Sequence, residues 1–312
     1  MTELQTNLEK LLPDLELRQQ EPMAKHTSLR IGGGAELMAF PKTPEQLAVL
    51  LDQSQKLDIH SVILGAGTNI LAPDPGIHGL VICLKDALEG MEALDDTHIR
   101  VAAGVTMTRA AMFAARLGLS GLEFAHGIPG TVGGGVYMNA GAYGGEMAQV
   151  VASVELMDRK GNRFSLSGEE MEFSYRHSGI QAPEGPIVLG AVFALQKQDP
   201  ETIRSTMKTL MQKRSASQPL DLPSAGSAFK RPSAGYAAAL IDETGLRGYQ
   251  VGNAGISRKH TGFAVNLGGA TAEDMKNLLS QVSRKVFDRT GIRLEPEIRI
   301  LNEQGEIISH TI

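Results

Sequence analysis

Gly127-Ile-Pro-Gly-Thr-Val-Gly-Gly-Gly-Val-Tyr-Met-Asn-Ala-Gly-Ala-Tyr-Gly-Gly145 contains no lysine, arginine or acidic residue. Glycine gives up more backbone freedom on folding than any other residue, so a run this dense needs a physical reason. Either the chain turns repeatedly through positive φ, or something large lies against bare backbone. A second, shorter run, Gly65-Ala-Gly-Thr-Asn69, follows the apolar stretch Ser61-Val-Ile-Leu64. That pair reads as a short buried strand and its loop.

Upstream of the shorter run, Thr27-Ser-Leu-Arg-Ile-Gly-Gly-Gly34 enters a strand over 35–40. Pro41-Lys-Thr-Pro44 then stops the strand and starts a helix, whose apolar stripe is Leu47, Leu50, Leu51 and Leu57. Residues 77–84 form the next strand, which completes a small α/β unit of the size of one βαβ module. Ahead of it, residues 3–20 read as a helix interrupted by Pro13 and then a polar lead-in. A second unit opens with a strand in Thr97–Gly104, then a helix over 107–117 ended by Gly118, then the long glycine run. A strand over 150–158 turns at Arg159-Lys-Gly-Asn162, and residues 186–195 form another strand. A helix over 201–214, with Ile203, Met207, Leu210 and Met211 on one side, reads as a surface connector. From about Pro219 a third, α+β unit has its own apolar set. It contains a short helix over 236–243 closed by Gly245 and a strand over 262–267. Thr271-Ala-Glu-Asp274 resembles a capping box that opens a helix to Thr290, and the last strand covers 294–301.

The bulk numbers narrow the function classes. A chain of 312 residues has room for two or three domains. A net charge of -5 disfavours a nucleic-acid binder, which needs a basic face, and the absence of tryptophan leaves few platforms for stacked bases. The single cysteine, Cys83, allows no internal disulfide and no thiolate cluster for zinc or iron–sulfur; within Gly79-Leu-Val-Ile-Cys-Leu84 it reads as a buried structural thiol. No HExxH or other metal-ligand spacing occurs, so no metal is expected. The N-terminus lacks the basic-then-apolar pattern of a secretory signal, and no run approaches a membrane span. A cytoplasmic protein is the expectation.

Gly65-Ala-Gly-Thr-Asn69 lacks the third glycine of GxGxxG, and no GK[ST] follows it, which argues against a Rossmann site and a P-loop. Backbone amides in such a turn can still form an anion nest. Together the two runs read as backbone surfaces for a phosphorylated, planar cofactor, against the alternative of tight structural turns. Among polar residues, Arg176 in Glu172-Phe-Ser-Tyr-Arg-His-Ser178 is a rigid bidentate partner for carboxylate or phosphate, or else a surface loop arginine. Ser227 in Ser224-Ala-Gly-Ser-Ala-Phe-Lys230 is a reactive hydroxyl or a turn hydroxyl, and no GxSxG elbow supports a hydrolase. Glu295 and Glu297 share a face in a regular strand, although Pro296 between them cannot donate to a ladder.

Several of these segments, in this order, resemble the UDP-N-acetylenolpyruvoylglucosamine reductase family. The strongest is Leu122-Glu-Phe-Ala-His-Gly-Ile-Pro-Gly through Gly145, supported by Ser174-Tyr-Arg-His-Ser178, Gly226-Ser-Ala-Phe-Lys230 and Pro296-Glu-Ile-Arg299. The likeness runs from about Thr27 to Leu301. The short stretch between Ser178 and Pro186 leaves no room for a tyrosine-bearing insertion found in one branch, so the chain resembles the shorter branch. His126 departs from the smaller residue common before Gly-Ile-Pro-Gly.

The resemblance implies an α+β fold: a two-subdomain FAD-binding fold of the vanillyl-alcohol oxidase type plus a C-terminal α+β substrate-binding domain. It divides the chain into a helical lead-in (1–26), two FAD-binding subdomains (27–90 and 91–200), a helical connector (201–218) and a substrate-binding domain (219–312). FAD contacts fall on Gly65, Ala66, Gly67, Thr68 and Asn69 for the pyrophosphate. Gly127, Ile128, Pro129, Gly130, Thr131, Gly133, Gly134, Asn139, Gly141 and Ala142 line the rest of the cofactor. Arg176, Ser227 and Glu297 carry over to catalysis, with Ser227 as proton donor where some relatives have cysteine. Tyr175, Lys230, Asn253 and His260 become candidate substrate contacts. The implied partners are NADPH and the enolpyruvyl ether of UDP-N-acetylglucosamine, reduced by a monomer in peptidoglycan precursor synthesis. Another FAD oxidoreductase or oxidase of the same cofactor fold, or a non-catalytic sugar-nucleotide binding protein, are the competing readings.

Overall fold

The computed structural model describes residues 2–233 and 235–308. The chain divides into two compact units. One comprises Met1–Arg18, Met38–Ala66 and Leu80–Arg214; the other comprises Gln19–Leu37, Gly67–Gly79 and Ser215–Ile312.

In the first unit, α1 (Thr2–Leu11) packs on α2 (Pro44–Lys56). Leu4 and Leu8 of α1 and Leu47, Leu50 and Leu51 of α2 are buried, each leucine contributing about 1.5–3 kcal/mol on removal from water. The helix start expected at Pro41–Pro44 is present. Thr43 Oγ1 accepts from Gln46 N at 3.2 Å, and Pro44 takes the first turn, where a missing N–H costs nothing. A four-stranded sheet runs in the order Glu16–Pro22, Gly34–Phe40, Ile77–Cys83, Ser61–Leu64, and the last two strands are parallel.

A five-stranded antiparallel sheet has the order Arg163–Ser167, Val151–Met157, Ile187–Ala194, His98–Ala102, Met91–Ala93. Its expected hairpin turn is fixed by the Asp158 carboxylate, which accepts from Lys160 N at 2.8 Å and Asn162 N at 2.9 Å. On this sheet lies α4 (Val132–Tyr137), capped by Thr131, and α3 (Met107–Arg116), capped by Thr106, packs beside α4. The helix α4 is a departure from the sequence reading, since its Gly133-Gly134-Gly135 is among the poorest helix formers. The last helix to contribute to this unit is α5 (Pro200–Ser217), through residues up to Arg214.

The second unit is built on an antiparallel sheet in the order Ser224–Ser227, Phe263–Asn266, Ala254–Ile256, Gln250–Val251. Two helices, α6 (Ala237–Glu243) and α7 (Ala272–Thr290), supply Ile241, Met275, Leu278, Leu279 and Val282 to its core, and Leu29, Ile31 and Leu71 join them. The capping box expected at Thr271 forms: Thr271 Oγ1 accepts from Asp274 N at 3.0 Å, and the Asp274 carboxylate accepts from Thr271 N at 3.2 Å.

Two readings need correction. Residues 3–20 are not one interrupted helix: α1 stops at Leu11, and Glu16–Pro22 is a strand at the end of its sheet. Its mostly polar composition hid it, because an edge strand needs little apolar alternation. The strand expected over 294–301 shrinks to Arg299–Ile300, parallel to Ile70–Leu71. Pro296 has no N–H for a ladder, and only an isolated bridge joins it to Phe229.

Cys83 is buried, and burial pushes its thiol up to about 11. Native protein at pH 8 should therefore react with a thiol reagent far more slowly than protein in denaturant; equal rates would show that the thiol is accessible.

Candidate functional site

The two glycine runs meet within the first unit. A Cβ on Gly65 would lie 2.7 Å from Thr131 Oγ1, so this approach requires a bare backbone. Thr131 is 1% exposed and its Oγ1 accepts from Gly134 N at 3.3 Å. The long run is tied down by Met107 N to Gly130 O at 3.0 Å, Val132 N to Val105 O at 2.8 Å and Gly133 N to Ala103 O at 2.9 Å.

The three consecutive glycines serve different ends. A Cβ on Gly133 would meet the Ala103 methyl at 2.9 Å, and one on Gly135 the Met107 sulfur at 2.7 Å. On Gly134 it would find only Thr131 Oγ1 at 3.5 Å, an ordinary contact, and the residue is exposed. Gly134 has no positive φ either. An exposed helical glycine costs about 1 kcal/mol against alanine, and nothing within the protein offsets that cost. Bare, uncharged backbone beside Thr131 and Gly65 suits a flat, phosphorylated group. FAD fits these residues on that ground.

The downstream half of the run holds the turn that carries Arg176. Asn139 is 1% exposed, and its Nδ2 donates to Ser174 O at 3.0 Å while its Oδ1 accepts from Ala148 N at 2.9 Å. A cofactor contact at Asn139 is thereby left to its backbone. Gly141–Ala142 pairs with Gly145–Glu146 in a small hairpin. Ser174 and His177 exchange two backbone hydrogen bonds of 3.1 Å, which places Tyr175 and Arg176 at the tip of a tight turn. The Arg176 guanidinium lies 5.0 Å from the centre of the Tyr175 ring. Ile128 and Pro129 belong to the same glycine-rich segment, with Ile128 N bonded to Ala125 O at 3.1 Å.

In the second unit, Gly67 has φ +58 and a Cβ there would lie 2.1 Å from the His26 carbonyl oxygen. This glycine is required by the protein's own packing, the tight-turn alternative weighed for this run. Thr68 and Asn69 follow, and Asn69 Nδ2 donates to Glu297 O at 3.1 Å.

Ser227 and Glu297 are brought close. Glu297 N donates to Ala228 O at 2.9 Å, one residue from Ser227, which is exposed at the end of its strand. Glu297 is half-buried with Oε2 turned inward. Lys230 N bonds Glu295 O at 2.8 Å, and the two side chains form an ion pair at the same place. His260 is near this end: its Nδ1 accepts from Gly262 N at 3.1 Å, while Gly262 O accepts from Ala228 N at 2.8 Å. Burial lowers the His260 pKa, so the ring is neutral and carries its proton on Nε2.

Asn253 is not with them. Its carbonyl accepts from Leu267 N, whereas Ser227 pairs with Phe263. Four residues along a strand separate the two positions by about 13 Å. The sequence reading also missed Gln181, whose Nε2 donates to Arg176 O at 3.3 Å and to Tyr137 O at 2.5 Å. No local pattern marks a glutamine that bonds backbone so far away in sequence.

Residues 35–167 match a family model described as FAD binding domain, and residues 218–301 match the C-terminal domain of UDP-N-acetylenolpyruvoylglucosamine reductase. The UDP-N-acetylenolpyruvoylglucosamine reductase of Limosilactobacillus fermentum is 42% identical over 299 residues, covering 96% of this chain and 99% of that protein. That of Clostridioides difficile is 44% identical over 297 residues, covering 95% and 97%. The crystal structure of UDP-N-acetylenolpyruvylglucosamine reductase from Thermus caldophilus superposes with a TM-score of 0.75 at 35% identity, over 92% of this chain and 98% of that one. With likeness of this extent, the chain belongs to the UDP-N-acetylenolpyruvoylglucosamine reductase family.

Proposed function

We propose that the protein uses NADPH and bound FAD to reduce the enolpyruvyl ether of UDP-N-acetylglucosamine to UDP-N-acetylmuramate, a step in peptidoglycan precursor synthesis. The observation that carries this reading is the near full-length likeness to reductases of that name, with arginine, serine and glutamate present in the three matching motifs. The same reading assigns residues 27–90 and 91–200 to the cofactor, 219–312 to the substrate, and 201–218 to the connector between them, behind the lead-in of 1–26. It makes the protein a cytoplasmic monomer. Among the described residues no helix is long and apolar enough to cross a membrane, in keeping with that reading.

When bound, FAD supplies the hydride that NADPH has delivered to it. The chain's own residues do the rest. Hydride arrival at the terminal vinyl carbon drives negative charge onto the substrate carboxylate. Arg176 meets that charge with a planar, permanently cationic donor, and Glu297 stabilises the intermediate by sharing a proton with it. Ser227 Oγ gives its proton to the adjacent carbon, which completes addition of one hydride and one proton across the double bond. Because Ser227 is exposed, water can return the proton to its oxygen. Lys230, paired with Glu295, and the neutral His260 line the same end of the sheet as candidate substrate contacts, and Tyr175 stands beside Arg176.

Purified protein should be yellow and release FAD on denaturation; colourless protein that FAD cannot reconstitute would remove the cofactor reading. Two glycine variants separate ligand contact from scaffolding. Gly134→Val should melt near the wild-type temperature yet bind FAD weakly in a titration. Gly67→Val should lower the melting temperature of the apoprotein itself, because its side chain meets the His26 carbonyl. The opposite order would place the bare ligand surface at Gly67.

Stopped-flow traces separate reduction by NADPH from oxidation by the enolpyruvyl substrate. Arg176→Ala and Ser227→Ala should spare the first and slow the second, the serine variant by roughly 10²–10⁴-fold, with Ser227→Cys recovering more activity than alanine. A Ser227→Ala protein that turns over at the wild-type rate would strip Ser227 of its role as the acid. Glu297→Gln should cripple substrate reduction. Glu295→Gln removes only a partly exposed ion pair and should be mild. Reversed defects would move the role to Glu295.

A further inference from the structure

We propose that Asn139 is a positioning residue for Arg176, acting through the turn that carries the arginine; the inference rests on the role given to Arg176 above. Arg176 has φ +56, a conformation that bulky residues keep only where the surroundings fix it. Its neighbours do so at several points. Ser174 and His177 close the turn by two backbone bonds. Gln181 Nε2 holds the Arg176 carbonyl at 3.3 Å and the Tyr137 carbonyl at 2.5 Å. Ser178 is fully buried and its Oγ donates to the same Tyr137 oxygen at 2.7 Å.

Asn139 provides the tie from the other side. Its buried amide spans Ser174 O and Ala148 N, so the turn is anchored both to the glycine-rich segment and to the short helical turn Met147–Gln149. The amide has only one workable orientation. Flipped, it would set oxygen against the Ser174 carbonyl and N–H against the Ala148 N–H. Asn139 itself has φ +42, which asparagine tolerates better than most residues. Size, backbone preference, donor and acceptor are thus all used, and the donor is aimed at the segment whose arginine meets the substrate.

Asn139→Asp tests this directly, because aspartate keeps the size and the acceptor for Ala148 N and loses the donor to Ser174 O. Hydrogen exchange of residues 171–181 in the apoprotein should accelerate; unchanged protection would overturn the tie. In stopped flow, oxidation by the enolpyruvyl substrate should fall roughly 10- to 100-fold beyond any loss in reduction by NADPH, the size expected when a catalytic group is misplaced by about 1 Å. That loss should vanish in an Arg176→Ala background, since the two changes act through one group. A full additional loss there would show a general structural role and overturn the proposal. Should Asn139→Asp fail to fold, Gln181→Glu removes the donor to Arg176 O at a less buried site and must show the same non-additivity. An Arg176→Ala protein with normal substrate oxidation would instead sink the arginine's assignment, and the exchange measurement would still decide whether Asn139 holds the turn.

Discussion

The close approach of Gly65 to Thr131 organises the first unit's candidate surface. Thr131 Oγ1 lies where a side chain on residue 65 would begin, and the same oxygen caps α4 through Gly134 N. The Thr131 backbone bridges Thr106, whose own hydroxyl caps α3. Two helix starts and one loop are therefore pinned at a single point by two threonines and a missing Cβ. A side chain at 65 would push on the cap hydroxyl, loosening the first turn of α4 and with it the presentation of Gly134. The cap alone is worth about 1 kcal/mol, but its loss would be felt at each of the segments that meet there.

Much of the fold was legible where local chemistry decides structure. Pro44 after Thr43 marks a helix start whether or not anything packs on it, and Thr271 with Asp274 closes its box from within. Asp158 makes its hairpin turn from its own neighbours. What escaped was set by distant partners. Glu16–Pro22 becomes a strand because Gly34–Phe40 offers it an edge, and nothing in Glu-Leu-Arg-Gln-Gln-Glu-Pro announces that. The helix α4 survives its glycines because Thr131 caps it and Gly133 and Gly135 pack against Ala103 and Met107. At 294–301 the alternation read as a strand, yet Pro296 broke the ladder that would have made it one.

The site was legible as segments and not as roles. Glycine density alone does not tell a glycine left bare for a ligand from one required by the protein's own packing. Gly67, Gly133, Gly135, Gly141 and Gly145 each sit where a Cβ would strike another part of the protein. Sequence cannot separate these from Gly134, because both kinds look like the same letter; only the space around the missing Cβ does. The likeness to a known family supplied Arg176, Ser227 and Glu297, which pattern alone left open between reaction and loop chemistry.

An asparagine in each of the two glycine-rich segments, Asn69 and Asn139, shows how scaffold and candidate chemistry are joined. Asn69 spends its Nδ2 on the carbonyl of Glu297, and Asn139 spends its Nδ2 on the carbonyl of Ser174, two residues before Arg176. Each amide donor is used inside the protein, on the backbone of a segment that bears a catalytic candidate. A carbonyl accepts such a bond in a narrow range of directions, so each contact fixes where its segment runs and not merely that it is nearby. Order in either loop is thus passed to the backbone of the segment it bonds. Motif matching would score both asparagines as ligand contacts; their hydrogen bonds tie the glycine-rich segments to the backbone beside Glu297 and Arg176.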